Sequence, residues 1–144
     1  MRTLSPMRGR VIAIFIIAIC CHWQLATAQN TAWIIPATAQ AVKNPLSSNP
    51  AAVQEAKTIY TNNCSPCHGM KGKGDGQAAA ALTPKPADHT SARVQSETDG
   101  SLYWKISEGR NPMPQYKGML TETQRWELVL YIRTLADKRI AAKK

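Results

Sequence analysis

The sequence has no long apolar run and few cysteines, and each scarcity excludes a class of protein. The longest apolar run, residues 11–21, has eleven residues, whereas a transmembrane helix needs roughly 20. Of the 4 cysteines, Cys20 and Cys21 fall inside this run, which leaves too few for the disulfide framework of a small secreted domain. The sequence therefore predicts neither a membrane-spanning helix nor a disulfide-stabilised fold.

Acidic residues are also scarce, at 9 against 18 Lys and Arg. A basic excess can indicate nucleic-acid binding, but these residues form no stripe with interleaved aromatic side chains, so no nucleic-acid partner is expected. The first 28 residues carry three arginines and no acid, then the apolar run, then Ala26-Thr27-Ala28, which is typical of a secretory signal peptide cleaved after Ala28. The mature chain would keep 15 of the 18 basic and all 9 acidic residues, a net charge of +6 that suits an acidic partner.

The two cysteines that remain lie in Cys64-Ser65-Pro66-Cys67-His68, the C-x-x-C-H sequence to which a c-type haem is attached. Two thiols separated by two residues in a tight turn can reach both vinyl groups on one edge of a porphyrin, and the adjacent His68 can then bind the iron. The motif therefore predicts one haem c, bound covalently through Cys64 and Cys67, with His68 as the proximal ligand of the iron.

Two other functions share parts of this motif. Thiol–disulfide oxidoreductases also carry C-x-P-C, but their motif follows a β-strand, whereas the residues before Cys64 are alanine-rich and helical in pattern. A zinc site made of Cys64, Cys67, His68 and His89 would lack a second ligand pair at the usual spacing. The sequence disfavours both alternatives and leaves them open.

Met113 is the candidate for the second axial ligand of the iron. It stands between two prolines, which excludes a helix interior and displays the side chain from a stiff loop. A thioether is a soft, neutral ligand, and Met/His coordination raises the reduction potential of haem. Met70 and Met119 are the alternatives, although Met70 is close in sequence to the proximal ligand and Met119 adjoins the next helix start.

Two further residues are candidates for the haem site. A ligating histidine usually donates its other ring N–H to a fixed carbonyl, and the extended loop from Pro84 to Pro86 is the expected source of that carbonyl for His68. Trp104 lies on a short helix predicted over residues 101–108, which Gly109 ends. Trp104 either fills the core or donates its indole N–H to a haem propionate.

The first and last helices of the predicted domain carry matching apolar stripes. Asn49 is expected to cap a helix from Pro50 to about residue 62. The capping box that begins at Thr121 predicts a helix to about residue 136. The residues expected to face inward are Ala52, Ala56, Ile59, Tyr60, Leu128, Tyr131, Ile132 and Leu135, and those expected to face outward are Glu127, Arg133 and Lys138. The two helices should cross, with Ala56 and Tyr60 against Leu128 and Tyr131.

Three segments follow from these patterns: a signal peptide (1–28), an extended N-terminal tether (29–49) and a haem domain (50–140). The tether contains prolines and shows no helical or alternating period. Its one apolar cluster, Trp33-Ile34-Ile35, is expected to fold back on the domain, as short tails commonly do. Binding of this cluster to a partner is the alternative.

Taken together, these motifs resemble those of the small monohaem class I cytochromes c of bacteria, over nearly all of residues 50–136. The residues that carry the resemblance are Ala56, Tyr60, Cys64-Ser65-Pro66-Cys67-His68-Gly69, Gly74-Asp75-Gly76, Met113-Pro114, Thr121, Leu128 and Tyr131. It implies an all-α fold around a covalent haem, with His68 and Met113 on the iron and an exposed haem edge. The sequence departs from the family at Ala56, where Gly is common, and at His89, where an apolar residue is common. His89 is therefore a surface residue, a propionate partner or a competing iron ligand.

The resemblance implies a periplasmic one-electron carrier that is not an enzyme, because two axial ligands leave the iron no open position. Its partners would be oxidase, dehydrogenase or reductase complexes, including ones peripheral to a membrane. A dissociable haem subunit of a larger oxidase or dehydrogenase, docked through residues 29–49, is the main alternative. A thiol–disulfide oxidoreductase and a haem sensor with a labile Met113 are the others.

Overall fold

The structure is a computed structural model, and it describes residues 32–46 and 50–136. The described residues from Trp33 to Ala136 belong to one compact unit. Its helices are α1 (Ala37–Ala41), α2 (Pro50–Asn63), α3 (Ser65–His68), α4 (Ala92–Gln95), α5 (Asp99–Glu108) and α6 (Glu122–Thr134), with a 3-10 turn at Ala79–Ala81. The predicted all-α fold is confirmed, since residues 32–46 and 50–136 contain no strand. None of the helices in them is long and apolar enough to cross a membrane. The predicted signal peptide, the cap at Asn49 and Lys138 lie outside the described residues.

The core is built where α2 packs against α6. Ala56 and Tyr60 on α2 are fully buried, and Leu128 on α6 is 1% exposed. The rings of Tyr60 and Tyr131 lie 5.0 Å apart, centroid to centroid, a separation at which aromatic rings attract each other beyond the area they bury. The predicted crossing of the first and last helices is therefore confirmed.

Helix α6 begins with the predicted capping box. The Thr121 hydroxyl accepts from the Gln124 amide, and the Gln124 side chain accepts from the Thr121 amide. The outward placement of two residues is wrong, because α6 packs against α5 as well as α2, so its exposed arc is narrow. Glu127 is only 8% exposed. The Arg133 guanidinium donates to Asp99 and to the carbonyl of Glu97 at 2.7 and 2.6 Å, which ties α6 to the start of α5.

The expectation of an extended tether without helix is wrong for Ala37–Ala41, which forms α1 and packs against α5. A helix of five residues is too short to show a period in the sequence, and such a helix depends on packing for its stability. A Cβ at Gly100 would come within 2.7 Å of the Val42 carbonyl oxygen and still closer to that of Ala39. Glycine at this position therefore lets the N-terminal segment approach α5. We call residues 33–46 the N-terminal strap.

Candidate haem site

The two cysteines and His68 lie on one tight turn that follows α2. The amides of Cys67 and His68 both donate to the carbonyl of Cys64, at 3.1 and 2.8 Å. Gly69 ends this turn with a φ of 80°, a backbone conformation that residues with a side chain rarely adopt. Cys64 and Cys67 are partly buried free thiols. The turn thus presents two thiols and an imidazole within one helical turn, the arrangement that haem attachment requires.

The environment of Cys64 contradicts a thiol–disulfide oxidoreductase. Burial, and then the neighbouring Cys67, raise the pKa of the Cys64 thiol to about 12. Enzymes that exchange disulfides instead lower the pKa of the attacking thiol, and they place it after a β-strand. Here the motif follows the helix Pro50–Asn63, so neither requirement is met.

The ring of His68 is oriented by a backbone carbonyl, although not by the predicted one. Nδ1 of His68 lies 2.9 Å from the carbonyl oxygen of Ala87. The expected carbonyl in the segment from Pro84 to Pro86 is wrong by one residue, and Pro84 is exposed. Burial lowers the pKa of His68, and the bond to Ala87 partly opposes this shift. The imidazole is therefore neutral, with Nδ1–H donating to the carbonyl of Ala87 and the lone pair of the ring on Nε2.

His89 packs directly on His68. The two rings are stacked with centroids 4.1 Å apart and planes 19° apart, and Nδ1 of His89 lies 3.1 Å from the Tyr60 hydroxyl. That hydroxyl also donates to the Gly69 carbonyl at 3.3 Å. Burial, with smaller effects of His68 and Lys105, lowers the pKa of His89 to about 3, so this ring is neutral too.

Met113 is held in a short turn on the same core. The amide of Arg110 donates to the carbonyl of Met113 at 2.9 Å, and the amide of Met113 donates back to Arg110 at 2.8 Å. Met113 is partly buried against the core cluster. The side chains of Met70 and Met119 are exposed, at 59% and 64%. Among the methionines that the structure describes, Met113 is therefore the one placed on the core.

Tyr116 connects the Met113 turn to the attachment turn. Burial, and then Cys64 and Cys67, raise the pKa of Tyr116 to about 12, which keeps the phenol protonated. Its hydroxyl donates to the carbonyl of Asn63 at 2.9 Å, directly before the first cysteine. Sequence analysis missed Tyr116 and also Ala87. An aromatic residue three positions after Met113 could have indicated a side chain that holds the Met113 loop. Nothing in the sequence distinguishes the carbonyl of Ala87 from those of its neighbours.

Trp104 contacts the N-terminal strap. Its ring meets that of Trp33 edge to face, with centroids 5.9 Å apart, and Trp104 is partly buried. Its bond to a propionate stays a prediction. The zinc alternative has no geometric basis, because residues 32–46 and 50–136 contain no group of three or more His, Cys, Asp or Glu side chains that could hold a metal ion.

Most of the described chain matches the model of one known protein family. The family model described as cytochrome c matches residues 53–136, more than half of the chain and all of the site. The chain belongs to the cytochrome c family. A search of the curated proteins found no match. Among solved structures, this cytochrome c is similar to a chain of the reducing HAO-like protein complex of Kuenenia stuttgartiensis, with 28% identity and a TM-score of 0.59. The match covers 67% of this chain and 50% of the other, so this chain spans half the length of that neighbour.

Members of the family bind haem c with its iron, and they transfer electrons without being catalytic in themselves. The residues present fit the group. Cys64 and Cys67 are free and sit on one turn. Nδ1 of His68 is occupied by the Ala87 carbonyl, which fixes the tautomer whose Nε2 could bind the haem iron. This cytochrome c domain therefore binds haem c through Cys64 and Cys67, and the family to which it belongs transfers electrons.

Proposed function

We propose that this protein is a one-electron carrier of the periplasm in which His68 and Met113 are the axial ligands of the haem iron. The bound haem supplies a one-electron change between ferric and ferrous iron. The observation that carries the proposal is the position of Met113, partly buried against the core cluster, while Met70 and Met119 are exposed. Met113 is thus the described methionine that already packs on the core of the domain.

The chain's own residues hold both ligands in place. Ala87 orients His68 through its Nδ1, and Arg110 holds the backbone of Met113 through two hydrogen bonds. Tyr116 ties the Met113 loop to the end of α2. Ligands that stay in place through a change of oxidation state keep the reorganisation small. This rigidity supports rapid electron transfer rather than binding of a substrate to the iron.

The location and the partners belong to the same proposal. The predicted signal peptide supports export. Attachment of haem through C-x-x-C-H is compatible with a periplasmic location. The mature chain would carry a net charge of +6, which supports encounter with an acidic face of a redox complex, because opposite charges steer association. We expect oxidase, dehydrogenase or reductase complexes as donors and acceptors.

A subunit of a larger haem complex is the second candidate. The similar structure from Kuenenia stuttgartiensis is by its title part of a protein complex, which favours this candidate. The strap also presents Ile34, 90% exposed, and Val42, 45% exposed. Native electrophoresis of the tagged protein, taken from the membranes and the periplasm of its source cells, distinguishes the two candidates. Comigration with other haem proteins indicates a subunit, and migration alone indicates a free carrier.

Visible spectra of protein matured in an export-competent host test the proposed ligation. We expect the colour to remain with the protein in acidified acetone, and the oxidised form to show the weak sulfur-to-iron band near the red edge of the spectrum. Met113→Ala should abolish that band and lower the reduction potential. Met119→Ala and Met70→Ala are matched controls at exposed positions and should change neither.

Two results would refute the covalent attachment and the ligation separately. Pigment that washes away would contradict covalent attachment through Cys64 and Cys67. A red-edge band and a midpoint potential unchanged in Met113→Ala would leave the attachment intact and exclude Met113 as the ligand. Ready binding of carbon monoxide by the reduced wild-type protein would indicate a sensor with a labile sixth ligand.

A further inference from the structure

The N-terminal strap lies outside the residues that the cytochrome c family model matches, 53–136, yet it is firmly attached to the domain. Helix α1 packs against α5 over Gly100. Asn44 Nδ2 donates to the carbonyl of Trp126 on α6 at 3.2 Å. Leu46 packs against the core cluster. These contacts fix the course of the strap from Leu46 back to α1.

Trp33, near the start of the strap, lies among cationic and aromatic side chains. The Arg110 guanidinium sits over its ring, 4.4 Å from the centroid. Lys105 Nζ lies 5.6 Å from the same centroid, and Trp104 meets the ring edge to face at 5.9 Å. Among aromatic side chains, the indole of Trp attracts a cation most strongly, and Arg is the cation most often found over such rings. Trp33 therefore restrains Arg110 more than an aliphatic residue could.

Arg110 is also the residue that closes the turn of Met113. Its amide and carbonyl make both hydrogen bonds of the Arg110 to Met113 turn, at 2.9 and 2.8 Å. A side chain that holds Arg110 in place thus acts on the backbone of Met113 through one intervening residue. Ile34, the neighbour of Trp33, is 90% exposed and makes no comparable restraint on the turn.

We propose that Trp33 is a positioning residue for the sixth ligand: by holding Arg110, it keeps the Met113 turn closed and slows replacement of Met113 by external ligands. The inference rests on the proposed ligation of iron by Met113. The strap then helps to hold Met113 in place, in addition to linking the domain to the residues before it. Opening of the turn, rather than attack of the external ligand, would limit such replacement.

Imidazole binding to the oxidised holoprotein tests the proposal, because imidazole binds only when Met113 leaves, and loss of the red-edge band follows the exchange. We expect Trp33→Ala to raise the rate and the affinity of imidazole binding about tenfold, the combined size of one cation–π and one aromatic contact. Trp33→Phe keeps a ring under Arg110 and should fall between Trp33→Ala and the wild type. Ile34→Ala is the matched control and should behave as the wild type.

A double-mutant cycle shows whether the effect passes through Arg110. Arg110→Gln should itself accelerate imidazole binding, and adding Trp33→Ala to it should accelerate binding little further, because the contact is already lost. If Trp33→Ala yields no folded holoprotein, Trp33→Phe and Arg110→Gln carry the same comparison against Ile34→Ala.

Three results would overturn the inference. The first is imidazole binding by Trp33→Ala and Trp33→Phe at the same rate as by Ile34→Ala. The second is a double variant in which the separate effects of Trp33→Ala and Arg110→Gln on the rate multiply, and the third is faster binding that is fully explained by lower thermal stability. Failure of the underlying ligation is a separate result, since the wild type would then lack the red-edge band and Met113→Ala would leave imidazole binding unchanged.

Discussion

The hydroxyl of Tyr116 donates a hydrogen bond of 2.9 Å to the backbone carbonyl of Asn63. Tyr116 is 5% exposed, and its amide donates to the carbonyl of Ile106 at 3.1 Å. One residue thus joins the loop of Met113, helix α5 and the end of α2. The loop and the turn that carries Cys64 are distant in sequence, and this bond holds them together.

Replacement of Tyr116 by Phe should therefore loosen the Met113 loop. We expect Tyr116→Phe to lower the free energy of unfolding of the holoprotein by about 1 kcal/mol, because one buried hydrogen bond is lost. The red-edge band should weaken on the same protein. Gln115→Ala, at an exposed position of the same loop, is the control for denaturant titration. Equal stability of Tyr116→Phe and Gln115→Ala would show that the bond has no structural importance.

A side chain at Gly100 should displace the strap without harm to α5. Gly100→Ala favours the helix by its intrinsic propensity, but its Cβ would meet the carbonyls of Ala39 and Val42. We expect faster cleavage by trypsin after the exposed Lys43, measured by mass spectrometry over time. Gly118→Ala is the matched control, since a Cβ there meets nothing within 4 Å. Identical cleavage of both variants would mean that the strap does not depend on the space above Gly100.

The parts of the fold that sequence predicted are those with local signals. The capping box at Thr121 and the stripe through Ala56 and Tyr60 are patterns within one helix, and the structure has both. The C-x-x-C-H sequence likewise defines its turn by itself. The start of α5 was predicted two residues late because Thr98, whose side chain accepts from the Ser101 amide, was not recognised as the cap.

Other features depend on contacts between distant segments, which no local pattern reports. The carbonyl that orients His68 comes from Ala87, and a main-chain oxygen has no sequence signature. Helix α1 is too short to show a period and is held by α5. The helical pattern of α6 placed Glu127 outward, yet it is only 8% exposed and close enough to Glu55 on α2 to be repelled by it.

His89 should support His68 and not ligate iron. The stack at 4.1 Å and the contact with Tyr60 account for its burial. We expect His89→Phe to keep the covalent haem and the same absorption bands, with a loss of about 1 kcal/mol in unfolding free energy because Tyr60 loses a hydrogen-bond partner. His89→Ala should lose more, since the ring against His68 is removed. A change of the axial-ligand bands in His89→Phe would show instead that His89 binds the iron.

The contribution of Glu127 to the free energy of unfolding should fall as the pH rises. Burial, and then repulsion by Glu55, raise its pKa in the folded protein, and its Oε2 is buried without a hydrogen-bond partner. Because the folded state binds this proton more tightly than the unfolded state, the contribution of Glu127 to stability is complete below the unfolded pKa, about 4.3. It is lost as the pH rises through the raised, folded pKa.

Replacement of Glu127 by Gln removes this titration and tests its sign. At pH 7, Glu127→Gln should increase the free energy of unfolding of the holoprotein by about 1 kcal/mol, because an ionised, incompletely paired carboxylate is no longer buried. The gain should shrink toward zero as the pH approaches 4, where the wild-type carboxyl is protonated. Glu122→Gln, exposed on the same helix, should show no such gain in denaturant titrations across this range. A gain for Glu127→Gln that grows toward acid pH would contradict the assigned direction of the shift.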